Sequence, residues 1–224
     1  MSITVRAPER RDIGGRGIGR WPITAWMGAA FLIALALALI VLAIFGAGGQ
    51  GIEQALRITG RWSFLLFWLA YVGGAMAKLW KLQLGGLVHC GRELGLAFAS
   101  AQLVHVGLVL WLLHITTGPV GSMLFFWIGV LCTYLLSLFS LPRFRDALGL
   151  RFWWAFRLFA LEYIALVFAD DFILIPLQAT GFRSYPVSYV PFAILLVGGA
   201  GIRLTTFIRH GIAPRMQGNG ENLN

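Results

Sequence analysis

Six stretches of this chain are apolar for long enough to cross the roughly 30 Å hydrocarbon core of a bilayer, which leaves few folds open to it. They cover roughly residues 22–47, 62–84, 94–115, 120–141, 152–172 and 187–208. With 58% hydrophobic and 12% charged residues over 224 positions, there is too little polar surface to coat a soluble globule of this size. The mean hydropathy of +0.79 says the same. The chain therefore reads as an all-α integral membrane protein, a six-helix bundle. A basic tail at 1–21 precedes the helical domain at 22–209, and a short tail at 210–224 follows it. No soluble domain fits in the remainder. Rich in Asn and Gly, the stretch from Pro214 to Asn224 reads as disordered.

The first run follows Arg6, Arg10, Arg11, Arg16 and Arg20 and resembles the front of a signal peptide. At about 25 residues it is longer than the 7 to 15 of a cleaved signal, so it reads as a retained helix. Glu9 and Asp12 flank Arg10-Arg11, which favours a solvated basic tail over a twin-arginine export signal.

The cations set the orientation. With the N-terminus in the cytoplasm, the five tail arginines, Lys78, Lys81, Arg92, Arg143, Arg145, Arg151, Arg203, Arg209 and Arg215 all fall inside, and Arg57, Arg61 and Arg183 fall outside. Six spans with both termini inside satisfy that asymmetry. The net charge of +9 then reflects topology and anionic lipid contact, with no nucleic-acid motif to suggest otherwise. Cys90 and Cys132 match no disulfide framework or zinc spacing. Gly73-Gly74 and Gly198-Gly199-Ala200-Gly201 read as small-residue patches for close helix approach, since neither has a nucleotide-loop pattern. Trp21, Trp26, Trp62, Trp80, Trp111, Trp153 and Trp154 lie near span ends, where headgroup anchors belong.

His105 lies within the third run, and an ionisable group at membrane depth is costly unless it has a partner, so it is a functional candidate. Three strings surround it in order: Thr59-Gly60-Arg61-Trp62, then Arg92 with Leu94-Gly95-Leu96 and, after eight intervening residues, His105, then Leu148-Gly149, Arg151 and Arg157. Together with the helix count and orientation, they resemble the ferric-reductase-like transmembrane family from about residue 57 to residue 208. That family includes the membrane haem subunit of the bacterial periplasmic methionine sulfoxide reductase system, bacterial ferric reductases and, more distantly, NADPH oxidases.

The resemblance implies transmembrane electron transfer through haem b in a bacterial inner membrane, with His105 as an iron ligand. It also implies a periplasmic acceptor protein. Because no flavin or nicotinamide domain is present in this chain, a separate reductase or the quinone pool would supply electrons. In the family the fifth helix carries two histidines about 13 residues, or about 20 Å, apart. The matching positions here are Phe156 and Ala169, which cannot bind iron. Three states of haem stay open: five-coordinate on His105, bound with another sixth ligand, or absent. For His105 itself a hydrogen bond to a neighbouring helix is the alternative to ligation.

Glu162 lies seven residues before Ala169, on the same helical face. It reads either as a partner of Arg157 or of another helix, or as a proton or alternative ligand site opposite His105. The second functional class is accordingly a haem-free membrane scaffold or a proton-linked carrier using Glu162. Of the other histidines, His114 is nine residues beyond His105 on the opposite face, and His89 and His210 read as interfacial. Asp170 and Asp171 read as a solvated helix end. The segment from about Asp170 to Ser188, with Pro176, Gly181, Arg183 and Pro186, reads as the outer loop where a partner would dock.

Overall fold

A computed structural model of the chain describes residues 22–80, 91–116, 123–141, 144, 149–180 and 186–217, and among these it is almost entirely helical, with no strand. The helices are α1 (Ile23–Phe45), α2 (Gly49–Trp80), α3 (Gly91–Ile115), α4 (Leu124–Phe139) and α5 (Leu150–Ala169). A π turn, Asp170–Leu174, carries α5 into α6 (Ile175–Thr180), and a short 3-10 turn, Val187–Tyr189, leads into α7 (Val190–Gln217). Among the described residues, Ile23–Phe45, Gly91–Ile115 and Val187–Arg209 are long and apolar enough to cross a membrane, and Leu124–Phe139 is a shorter apolar helix. Leu32, Ile33, Leu39, Ile40 and Ile44 on α1, and Ile194, Val197, Leu204 and Phe207 on α7, are exposed. Apolar faces of that extent suit lipid, not water.

α1 ends at Gly46, whose φ of +82° lies in the left-handed region and whose N–H bonds to the Leu42 carbonyl at 2.8 Å. This positive φ, open to glycine at no steric cost, lets the chain reverse into α2 within three residues. The inward side of α1 carries Ala30, Ala34 and Ala38 at four-residue spacing, each nearly fully buried. Small side chains let backbones approach, which matters in lipid because helix association there rests on close packing and interhelical hydrogen bonds. Both appear: the Trp62 indole N–H donates to the Ala30 carbonyl at 3.2 Å and Ser100 Oγ donates to the Met27 carbonyl at 3.0 Å. α1 is thereby fixed to α2 and α3. Trp62 consequently packs, partly buried, against the core of the bundle.

The centre of the bundle is aromatic. Phe64 and Phe67 of α2 meet Phe98 of α3 and Phe168 of α5, with ring centroids 5.2 Å apart for Phe64–Phe168, 5.4 Å for Phe67–Phe98 and 5.3 Å for Phe67–Phe168. Phe172 and Phe192 extend the stack toward the start of α7. α7 closes on α2 at Gly199, where a Cβ would stand 2.9 Å from both Trp68 Nε1 and Val72 Cγ2. The Trp68 indole donates to the Leu195 carbonyl at 2.7 Å across the same contact. By contrast, Gly74, Gly198 and Gly201 have open space where a Cβ would be. Within the small-residue patches, Gly199 is a position where close approach is seen.

Three boundaries differ from the hydropathy reading. α2 starts at Gly49, well before residue 62, because Glu53, Arg57 and Arg61 lower hydropathy without interrupting helical hydrogen bonding. α5 continues by way of the π turn to Thr180, so much of the expected outer loop is helical, while residues 181–185, with Gly181 and Arg183, lie outside the described residues. Pro176 explains the π turn: its ring crowds the carbonyl four residues back and it has no N–H, and a wider turn accommodates both. Finally, α7 runs past residue 209 to Gln217, into the segment expected to be a disordered tail. The basic tail at 1–21, Lys81, His89, Cys90, Arg143, Arg145, Leu148 and residues 218–224 are outside the described residues. Cys132 is buried and free.

Candidate functional site

His105 lies near the middle of α3 and turns toward α2. Its Nδ1 is 3.1 Å from Thr59 Oγ1, and Thr59 is completely buried. The threonine hydroxyl has a single proton, and the Ala55 carbonyl one turn back on α2 stands 2.8 Å away to receive it. Assigned from that network, imidazole Nδ1 carries the hydrogen and donates to Thr59, which leaves the Nε2 lone pair unused by this contact. Gly60 makes room for the ring, since a Cβ there would come within 3.3 Å of His105 Cε1. Phe126 of α4 lies on the far side, 6.1 Å between ring centroids.

A cavity of about 20 Å³ adjoins the imidazole, lined also by Phe98, Gln102, Phe126, Phe168 and Asp171. That is room for about one water molecule. Gln102 is a buried amide whose Oε1 has no hydrogen-bond partner, so a polar atom lies buried and unused close to His105. Asp171, exposed in the π turn, also lines this cavity. His114, in the last turn of α3, is exposed as expected. The side chain of His210 lies outside the described residues.

The residues present do not fit a bis-imidazole haem. On α5 the position matching an axial histidine of the resembled family is Ala169, and its neighbour Phe168, which lines the cavity beside His105, is locked among Phe64, Phe67 and Phe98. Ligand pockets for molecules of this class occupy about 300 Å³ or more. The inner matching position, Phe156, packs against Phe139 at 5.5 Å and Phe152 at 6.3 Å. Among the described residues no group of three or more His, Cys, Asp and Glu side chains converges as a metal cluster would.

Glu162 is placed elsewhere. Its Oε1 is 2.9 Å from Arg203 Nη2 of α7, and its Oε2 accepts a hydrogen bond from the Tyr71 hydroxyl of α2 at 2.8 Å. Arg203 also donates to the Tyr71 carbonyl at 3.2 Å and stacks over the Tyr71 ring, 4.3 Å from its centroid. The carboxylate thus ties α2, α5 and α7 together and does not meet His105 or pair with Arg157. Arg61 does similar work at the other end of α2, donating to Ser188 Oγ at 3.1 Å and lying over the rings of Tyr189 and Phe192.

Sequence reading did not single out Thr59, Gln102, Tyr71 or Arg203 as site partners. Thr59 carried a usable signal, because a hydroxyl in an apolar helix seeks a partner. The other pairings depend on which helices become neighbours.

Comparison of the chain with protein-family models, with curated proteins and with solved structures finds no match.

Proposed function

We propose that this chain is a six-span protein of a bacterial inner membrane, with both termini in the cytoplasm, that keeps a ferric-reductase-like bundle without the haem pair. In this reading it serves as a membrane scaffold whose outer face, around α6 and the start of α7, receives a partner. The observation that supports it best is the aromatic packing beside His105, where Phe98 and Phe168 line the small cavity. The space in which a second imidazole and a porphyrin would have to lie is taken by Phe98 and Phe168 and their stacked neighbours. The cation asymmetry and the three long apolar helices support the membrane placement. A dithionite-reduced minus oxidised visible spectrum of the purified protein, with haem quantified per chain, tests the reading. The expected result is a stable protein without a Soret band after haem supplementation; a stoichiometric b-type signal would overturn it.

The electron-transfer reading rests on one favourable observation. Metal-binding histidines usually donate their other ring N–H to a fixed acceptor, and Thr59 holds His105 in that way. In that case the chain would be a b-type conduit between a separate reductase or quinone and a periplasmic acceptor protein, and His105→Ala would abolish the spectrum. A proton-linked carrier built on Glu162 has less support, because both carboxylate oxygens are already engaged by Arg203 and Tyr71.

A further inference from the structure

A second cavity, of about 200 Å³, opens between α2, α3, α4 and α5 at the end of the bundle where α3 begins, α4 ends and α5 begins. Its lining is of two kinds. Phe67, Phe98, Leu161 and Ile164 form an apolar floor, whereas Arg92, Arg157, Thr133, Ser137 and Ser140 form a polar wall in which the two arginines are exposed and Thr133 is buried. Neither arginine makes an ion pair among the described residues, since Glu162 is committed to Arg203 and Glu93, next to Arg92 in the chain, does not line the cavity. The three hydroxyls donate back to their own helix, Thr133 to Gly129 at 2.9 Å, Ser137 to Thr133 at 2.9 Å and Ser140 to Leu136 at 2.7 Å. The wall therefore brings ten guanidinium N–H donors to a cavity that no carboxylate among the described residues lines.

Two cations without an ion pair among the described residues, beside an apolar floor, define the complementary ligand: an anion with planar or tetrahedral oxygens, attached to an apolar body. Guanidinium binds phosphate oxygens two at a time. Phe144, Phe152 and Trp154 near the same end are exposed, so the mouth is flanked by surface that suits acyl chains. In the orientation proposed above, on which this step rests, that end faces the anionic inner leaflet, where basic pockets between helices recruit acidic headgroups.

We infer that the cavity is a binding site for the phosphate group of an anionic glycerophospholipid, held between Arg92 and Arg157 with its acyl chains along the α4–α5 side. A soluble phosphate compound offers the same oxygens, and the test separates the two sources.

The full chain in phosphatidylcholine-doped detergent is titrated with phosphatidylglycerol, with further phosphatidylcholine, and with inorganic phosphate, following the melting midpoint and bound lipid by native mass spectrometry. Phosphatidylglycerol is expected to raise the midpoint and remain bound, and phosphatidylcholine is not. Arg92→Gln and Arg157→Gln should each weaken the apparent affinity about fivefold. Ser137→Leu, which keeps both charges and fills the cavity, should weaken it as well and carries the test if an arginine variant fails to fold. Equal effects of the two lipids, or an unchanged preference in Arg92→Gln and Ser137→Leu, would overturn the site. If inorganic phosphate alone gave the full shift and displaced phosphatidylglycerol, the lipid assignment would fall. A chain recovered in the soluble fraction without detergent would instead refute the membrane reading beneath it, and the haem spectrum bears on neither outcome.

Discussion

Thr59 Oγ1 stands 3.1 Å from His105 Nδ1 and 2.8 Å from the Ala55 carbonyl, so one buried hydroxyl links the imidazole of α3 to the backbone of α2. The arrangement fixes both the helix contact and the tautomer. Replacing Thr59 by Val keeps the shape and removes the acceptor, leaving the Nδ1 hydrogen without its partner. A loss of about 1–3 kcal/mol in stability is expected, with Thr59→Ser recovering most of it. Nitrogen-15 NMR of labelled histidine, with the His105 signal assigned through His105→Ala, should show that ring as a single Nδ1–H tautomer in the parent and as a mixture in Thr59→Val; identical His105 signals would refute the assignment.

The ion pair between Glu162 and Arg203 is coupled to Tyr71, so its members should act as a unit. Removing one partner strands the other, whereas removing both does not. Glu162→Gln and Arg203→Gln are each expected to lower the melting midpoint, and the double variant to cost less than the two singles added. The coupling should be about 0.5–3 kcal/mol, at the lower part of that range because the Glu162 side chain is 46% exposed. Strict additivity would mean that the contact carries no stability.

How much of this was legible in the sequence depended on the range of the interaction involved. Helix positions follow from apolar length, and the run at about 22–47 became Ile23–Phe45 while that at about 120–141 became Leu124–Phe139. Charged turns weakened that signal, which is why the first turns of α2 were missed. Partners were a different matter. Arg157 looked near Glu162 in the chain, but five residues turn a helix by about 140° from the starting direction, so the two side chains diverge. The true partner, Arg203, is 41 positions away on another helix and becomes adjacent only when α5 and α7 both pack on α2. Likewise, His105 could be recognised as a buried polar group, but the phenylalanines filling the space beyond it are ordinary apolar letters until α2, α3 and α5 come together.

Gly199 and Gly198 provide a paired test of that packing. A methyl group at 199 would meet Trp68 and Val72 at 2.9 Å, and one at 198 would meet nothing within 4 Å. Gly199→Ala is therefore expected to destabilise the protein by about 1–3 kcal/mol through overpacking. Gly198→Ala should be neutral or stabilise by about 0.4–1 kcal/mol, since alanine lowers the entropy of the unfolded chain in a helix it fits. Equal melting midpoints for the two variants would show that α7 does not approach α2 this closely.

The phenylalanine packing beyond His105 makes the strongest demand on the proposed function, because it predicts the order in which haem binding could be regained. Ala169→His alone supplies the missing imidazole but no space, so it should purify without a Soret band. Phe168→Ala alone opens space and should cost about 3–5 kcal/mol, yet it supplies no ligand. The combination provides both and is expected to take up haem to a level above either single change, as measured by the pyridine haemochrome of protein refolded or expressed with excess haem. If Ala169→His by itself bound haem stoichiometrically, steric filling would not be the barrier, and the fifth-helix ligands alone would separate this chain from an electron conduit. If the parent chain already did so, the scaffold reading would be lost and Thr59 would become the residue that orients an iron ligand.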